Sequence, residues 1–88
     1  MTKHTYYYLE ESSGYTVVTS IAKGGSKAGR ITGYGHSALK KPYLFSTIEE
    51  AKNTIEKSQR MTYYYRDGDG RKHDCFMTWV IKEIKIEI

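Results

Sequence analysis

Residues 44–59 read LFSTIEEAKNTIEKSQ, and the periodicity of this stretch organises everything around it. Ser46 followed three residues later by Glu49 has the pattern of a capping box, in which a hydroxyl takes one orphan N–H and a carboxylate reaches back for another. Ile48, Ala51, Ile55 and Ser58 recur at helical spacing and define a narrow stripe of apolar and small residues. Glu49, Glu50, Lys52, Asn53, Glu56 and Lys57 fill the remaining surface. The acids come early and the lysines late, which suits the helix dipole. A helix of this kind needs an apolar surface to lie on, and Ile55 is its expected anchor in the core.

The flanking segments read as strands. Residues 3–9 (KHTYYYL) are dense in aromatics, residues 10–14 (EESSG) carry turn chemistry, and residues 15–22 (YTVVTSIA) return as a second strand. Beyond the helix, residues 61–66 (MTYYYR), 67–70 (DGDG) and 71–81 (RKHDCFMTWVI) repeat the scheme of strand, tight turn and strand. Residues 82–88 (KEIKIEI) place isoleucine at 84, 86 and 88, whereas Cys75, Met77, Trp79 and Ile81 hold the opposite parity. Two readings fit this change of phase: a bulge near residues 81–83, which we favour, or a strand buried on both faces as far as Ile81. The tetrapeptide TYYY opens both hairpins, at 5–8 and again at 62–65.

The expected fold is therefore α+β. A single domain over residues 1–88 holds an antiparallel sheet of four or five strands, built from two hairpins, with one central helix packed on one face. The element order is β-β-(β)-α-β-β, and the bracketed strand is residues 30–34 (RITGY), weakened by Gly33.

With 88 residues there is room for one sheet and one helix but not for two cores. Nine tyrosines and two phenylalanines supply apolar area that the low aliphatic content does not. Fourteen basic residues against ten acidic ones give a net charge of +4, a mild excess compatible with a polyanionic partner. The lone Cys75 excludes an internal disulfide and favours a reducing compartment. Neither a charged-then-apolar leader nor a long apolar run is present, so the expectation is a soluble, cytoplasmic chain with no membrane partner.

Residues 23–42 (KGGSKAGRITGYGHSALKKP) differ in kind from the rest. They hold five of the eight glycines and five basic residues, with no acid among them. Glycines let backbone N–H groups turn toward an anion, while Lys23, Lys27, Arg30, Lys40 and Lys41 supply charge; Tyr34 and His36 lie among them. The register is not that of a P-loop. Anion binding and a solvated, mobile connection both fit this loop. In the tyrosine triplets the middle ring, Tyr7 or Tyr64, faces away from its two neighbours. A helix covers one face only, so several rings stay exposed, free to stack on bases or to dock a protein.

Residues 67–70 do not make a calcium loop, because Arg71 stands where a ligand is needed. His73 and Cys75 share a strand face but have no second pair to complete a metal site, and a structural cysteine with a surface histidine is the simpler reading. No acid–base pair, nucleophile triad or cofactor motif is evident, so a non-enzymatic role with no cofactor is expected.

The segment PYLFSTIEEAKNTIEK resembles an F-S-T-x-E-E-A-x-x-x-I helix start found in small orphan proteins of bacteriophages and mobile elements. The resemblance spans about sixteen residues. It implies a small protein in the cytoplasm of a bacterial host that binds a host protein or ribonucleoprotein, among them anti-CRISPR inhibitors of bacterial immunity. Many of those are acidic DNA mimics, whereas this chain is basic. A stand-alone nucleic-acid-binding module, a sponge for a small anionic nucleotide, and a homodimer formed through a free sheet edge are the further expectations.

Overall fold

The computed structural model describes residues 2–58 and 61–87. A first strand, β1 (Lys3–Glu11), is followed by β2 (Thr16–Ile21), a 3-10 turn (Gly25–Lys27) and β3 (Ile31–His36). The helix α1 (Ile48–Lys57) comes next, then β4 (Thr62–Arg66), β5 (Lys72–Phe76) and β6 (Trp79–Glu87). The α+β class is as expected, but the strands do not form one sheet. Four make an antiparallel sheet in the order β3-β2-β1-β6, while β4 and β5 pair only with each other. No described helix is long and apolar enough to cross a membrane.

The helix starts one residue later than the sequence pattern suggests. Thr47, not Ser46, is the N-cap, and its hydroxyl accepts the Glu50 N–H at 3.2 Å. T-x-x-E fits the capping pattern as well as S-x-x-E does, so spacing alone does not separate them. The buried stripe also shifts: Ala51 and Thr54 are fully buried, Ile55 is half-buried and Ile48 is exposed. Ala51 joins Leu9, Val18 and Phe45 in the core, with Ile55, Trp79 and Ile81 packed around them. Residue 59 lies outside the described residues.

Phe45 fixes how the helix enters. Tyr7 and Phe45 form an isolated antiparallel bridge, and the Tyr43 N–H donates to the Val18 carbonyl at 2.8 Å. The segment before the helix thus bonds to both β1 and β2, where the two strands no longer pair with each other. The Phe45 ring meets Tyr43 edge-on, with centroids 4.9 Å apart.

The expected bulge near residues 81–83 does not exist. β1 and β6 hold one unbroken register from Lys3↔Glu87 to Glu11↔Trp79. Because side chains alternate between faces, Trp79 and Ile81 share the helix side with Leu9, whereas Ile84 and Ile86 lie opposite, beside Tyr6 and His4. Both phases of the sequence are therefore real, each serving its own face. The chain instead breaks at residues 77–78, which separates β5 from β6. A true irregularity sits in β2, where the register with β3 shifts around Thr19. Gly33 faces it: a Cβ there would come within 2.6 Å of Ser20 Oγ and 3.2 Å of Thr19 Oγ1. The glycine makes room for the bulge rather than weakening the strand.

Candidate functional site

The strand β3 divides residues 23–42 and carries their basic residues to opposite ends of the sheet. The first part is fastened rather than mobile. Ala22 closes it by donating to Arg30 O at 2.8 Å and accepting from Gly29 N at 2.7 Å. The C-terminal end of the helix grips it further: Lys57 Nζ donates to Ala28 O at 3.2 Å, and the Ile31 N–H donates to Ser58 Oγ at 3.0 Å. Gly29, at φ +88°, lets the chain turn under the Lys57 side chain.

Lys27 and Arg30 line a concavity of about 360 Å³ with Ile31, Thr32, Ser58 and Met61. Neither cation has an ion-pair partner among the described residues. Lys23 does not join them in that wall; its ammonium lies 5.8 Å from the centre of the Tyr43 ring. His36, Lys40 and Lys41 belong to the other end. His36 Nδ1 accepts the Ala38 N–H at 3.1 Å, and the Lys40 stem lies so close to Gly35 that a Cβ there would sit 2.6 Å from it. The five basic residues therefore do not converge on one anion.

The two tyrosine triplets have opposite fates. Tyr7 is corrected from surface to structure: it shares the helix-covered face of β1 with Leu9, packs against the core and bonds through its backbone to Phe45. Tyr64 stands on the β4–β5 arm, where every residue of β4 is exposed. There Tyr63, Tyr64, Tyr65 and Phe76 are 42%, 63%, 50% and 61% exposed. Lys72 lies 5.0 Å from the Tyr64 ring centre, and His73 stacks on Tyr65 at 5.0 Å with planes 16° apart. The turn that joins the strands is organised by Asp67. One of its oxygens accepts the N–H groups of Asp69 and Arg71 at 2.9 and 3.0 Å, and the other meets His73 Nε2 at 2.8 Å. The His73 contact, followed by the Arg71 N–H, holds the Asp67 carboxyl below its ordinary range.

A second concavity, of about 350 Å³, opens where the β1–β2 turn meets the arm, and of the expected site residues only Tyr34 reaches it. Tyr34 lies 6.2 Å from the Trp79 ring on one side. Glu11, Ser13, Tyr15, Thr16, Tyr63 and Met77 complete the wall. Glu11 is 6% exposed, and its carboxylate accepts Ser12 Oγ at 3.1 Å, Ser13 N at 2.8 Å and the Ser13 hydroxyl. The Ser13 hydroxyl leads in lowering its pKa, against an opposing effect of burial; the Ser13 and Thr78 backbone groups and Ser12 add to the lowering. The signal for this group was in the sequence, since EESS places two hydroxyls beside an acid, but nothing there says that the acid faces inward.

Among the described residues no group of three or more His, Cys, Asp or Glu is placed to hold a metal. No protein-family profile, curated protein or solved structure matches the chain.

Proposed function

We propose that this chain is a small non-enzymatic binding protein that acts by occupying a site on a protein or ribonucleoprotein partner, with the β4–β5 arm as its docking element. The observation that carries the reading is the exposure of Tyr63, Tyr64, Tyr65 and Phe76 on a two-stranded arm outside the main sheet. Buried anchors of protein interfaces are rich in tyrosine and arginine and poor in lysine and acids at their centre. Over residues 62–76 the arm has three basic residues (Arg66, Arg71, Lys72) and three acids (Asp67, Asp69, Asp74), so its formal charge sums to zero. That balance favours a protein surface over a bare polyanion. The phage-type resemblance of the helix segment would make the partner a host nucleic-acid-dependent defence complex and the effect inhibition.

The test is a pull-down from nuclease-treated bacterial lysate with the parent and with a Tyr64→Ala/Tyr65→Ala variant. A specific partner held by the parent and lost by the variant, at unchanged melting temperature, supports the reading. A partner held equally by both removes the arm from it.

A second reading, a stand-alone nucleic-acid-binding module, is favoured by Lys27 and Arg30, which share a concavity without acidic neighbours. The same wall would serve a small anionic nucleotide. A homodimer would add through β3 or β6, the outer strands of the four-stranded sheet.

A further inference from the structure

The Glu11 concavity carries chemistry that neither the arm nor the basic loop uses. A carboxylate that is nearly out of solvent costs free energy unless its charge is met. Among the described residues Glu11 is met by neutral donors: the Ser12 and Ser13 hydroxyls and the Ser13 N–H. Among the described residues no lysine, arginine or histidine stands within ion-pair distance of it. A carboxylate offers about four acceptor positions; the Ser12 hydroxyl takes one on Oε1, and the Ser13 N–H and hydroxyl take two on Oε2. What remains is negative charge with little spare hydrogen-bonding capacity.

Besides Ser13 and Thr16, the rest of the wall is aromatic and thioether. Tyr15, Tyr34 and Tyr63 are exposed large rings around the cavity, and Met77 adds a soft thioether. Ring faces attract cations through their quadrupole. Cys75, opposite Tyr63 on β5, and then burial hold the Tyr63 phenol above its ordinary range, and the Glu11 charge acts in the same direction. The volume, about 350 Å³, lies within the range of small-ligand sites.

These properties discriminate among cations. A primary ammonium or a guanidinium brings three or more N–H donors that need acceptors, more than the carboxylate has left beside its serine partners. A quaternary ammonium has no N–H, spreads its charge over methyl groups and packs on rings and sulfur. We propose that this cavity binds a trimethylammonium group, with Glu11 as the counter-charge and Tyr15, Tyr34 and Tyr63 as the walls. Such a group comes from a small choline-type compound or from the side chain of a trimethylated lysine. The cavity shares Tyr63 with the docking arm, but its charge comes from Glu11 at the β1–β2 turn, which the docking reading does not use.

The experiment is an NMR titration of the tyrosine ring signals with choline, Nε-trimethyllysine, lysine and 3,3-dimethylbutanol, the uncharged isostere of choline. Choline or trimethyllysine should shift the Tyr15, Tyr34 and Tyr63 signals saturably. Lysine and the isostere should bind at least about tenfold more weakly. Whichever trimethylammonium compound binds more tightly identifies the source. Tyr34→Leu and Tyr63→Leu, at exposed positions, should each lower the affinity about fivefold or more without changing the melting temperature. Glu11→Gln should bring choline down to the affinity of the isostere. Equal binding of choline and its isostere overturns the proposal, as does unchanged affinity in both tyrosine variants. So does the lack of a saturable shift up to about 100 mM choline.

Discussion

Tyr7 and Phe45 exchange both of their backbone hydrogen bonds, 2.9 Å from the Tyr7 N–H to the Phe45 carbonyl and 2.7 Å in return. This single bridge ties the segment before the helix into the sheet and seats the Phe45 ring among Leu9, Val18 and Ala51. A domain of this size holds only ~5 kcal/mol of stability. Truncating a fully buried phenylalanine costs ~3–5 kcal/mol. Phe45→Ala is therefore expected to lack a cooperative thermal transition by circular dichroism, and Phe45→Leu to retain one at a lower midpoint. A parent-like melt for Phe45→Ala would mean that the bridge does not seat the helix.

The position of the cap separates two adjacent hydroxyls. Thr47→Ala removes the acceptor of the Glu50 N–H and should cost ~1 kcal/mol, whereas Ser46→Ala should stay within ~0.5 kcal/mol of the parent. In a domain of under 100 residues the first change lowers the melting temperature by ~4–8 °C. Ile55→Ala, at a half-buried position, should cost ~2 kcal/mol, the low end for such a truncation. Thermal melts of the three variants measure all of this, and a larger loss for Ser46→Ala than for Thr47→Ala would reverse the cap assignment.

Acid should weaken the fold in part through Glu11. Its folded pKa is depressed, so the ionised form is the one the fold stabilises. That contribution is present at pH above the ordinary glutamate range and is lost as pH falls through that range and below it. Glu11→Gln cannot titrate, and its melting temperature should fall less steeply with acid than that of the parent. Identical acid slopes for the two proteins would remove Glu11 from the account. Asp67, also depressed, has the same sign, and its loss should loosen the turn of the arm.

Salt separates the two readings of the basic end. If Lys27 and Arg30 contact phosphates, binding of a short oligonucleotide falls steeply with added salt, and Lys27→Ala reduces the log–log slope by about one. The same variant should melt within a few degrees of the parent, because Lys27 is exposed. A gel shift that is absent at low salt, or indifferent to salt, discards the nucleic-acid reading.

The helix, the two hairpin turns and the α+β class were legible because they depend on local chemistry. Caps, periodicity and Asp-Gly turns act within a few residues. Strand partners depend on what the rest of the chain offers. The sequence TYYY occurs twice, yet at residues 5–8 it lies between β6 and the Phe45 bridge, and at 62–65 it has β5 alone. The change of phase along residues 75–88 was visible and its cause was not, since a bulge and a two-faced strand leave the same pattern. Glu11 was missed for a related reason: its place beside Trp79 and the tyrosines of β3 and β4 depends on long-range pairing, which no local rule anticipates.

The arm also bears on how the molecule opens. Among the described residues its hydrogen bonds run between β4 and β5, within the Asp67 turn and from Met77 N to Met61 O. An isolated two-stranded hairpin is marginal in water. Amide deuterium exchange should therefore proceed in β4 and β5 through local openings, while β1, paired with β6 from Lys3 to Glu11 and bridged to Phe45, exchanges only when the whole sheet comes apart. A partner that closes on the arm must also still it, and that loss of freedom subtracts from the affinity its tyrosines provide. A cross-link that rigidified the hairpin would then tighten binding without adding one contact to the partner.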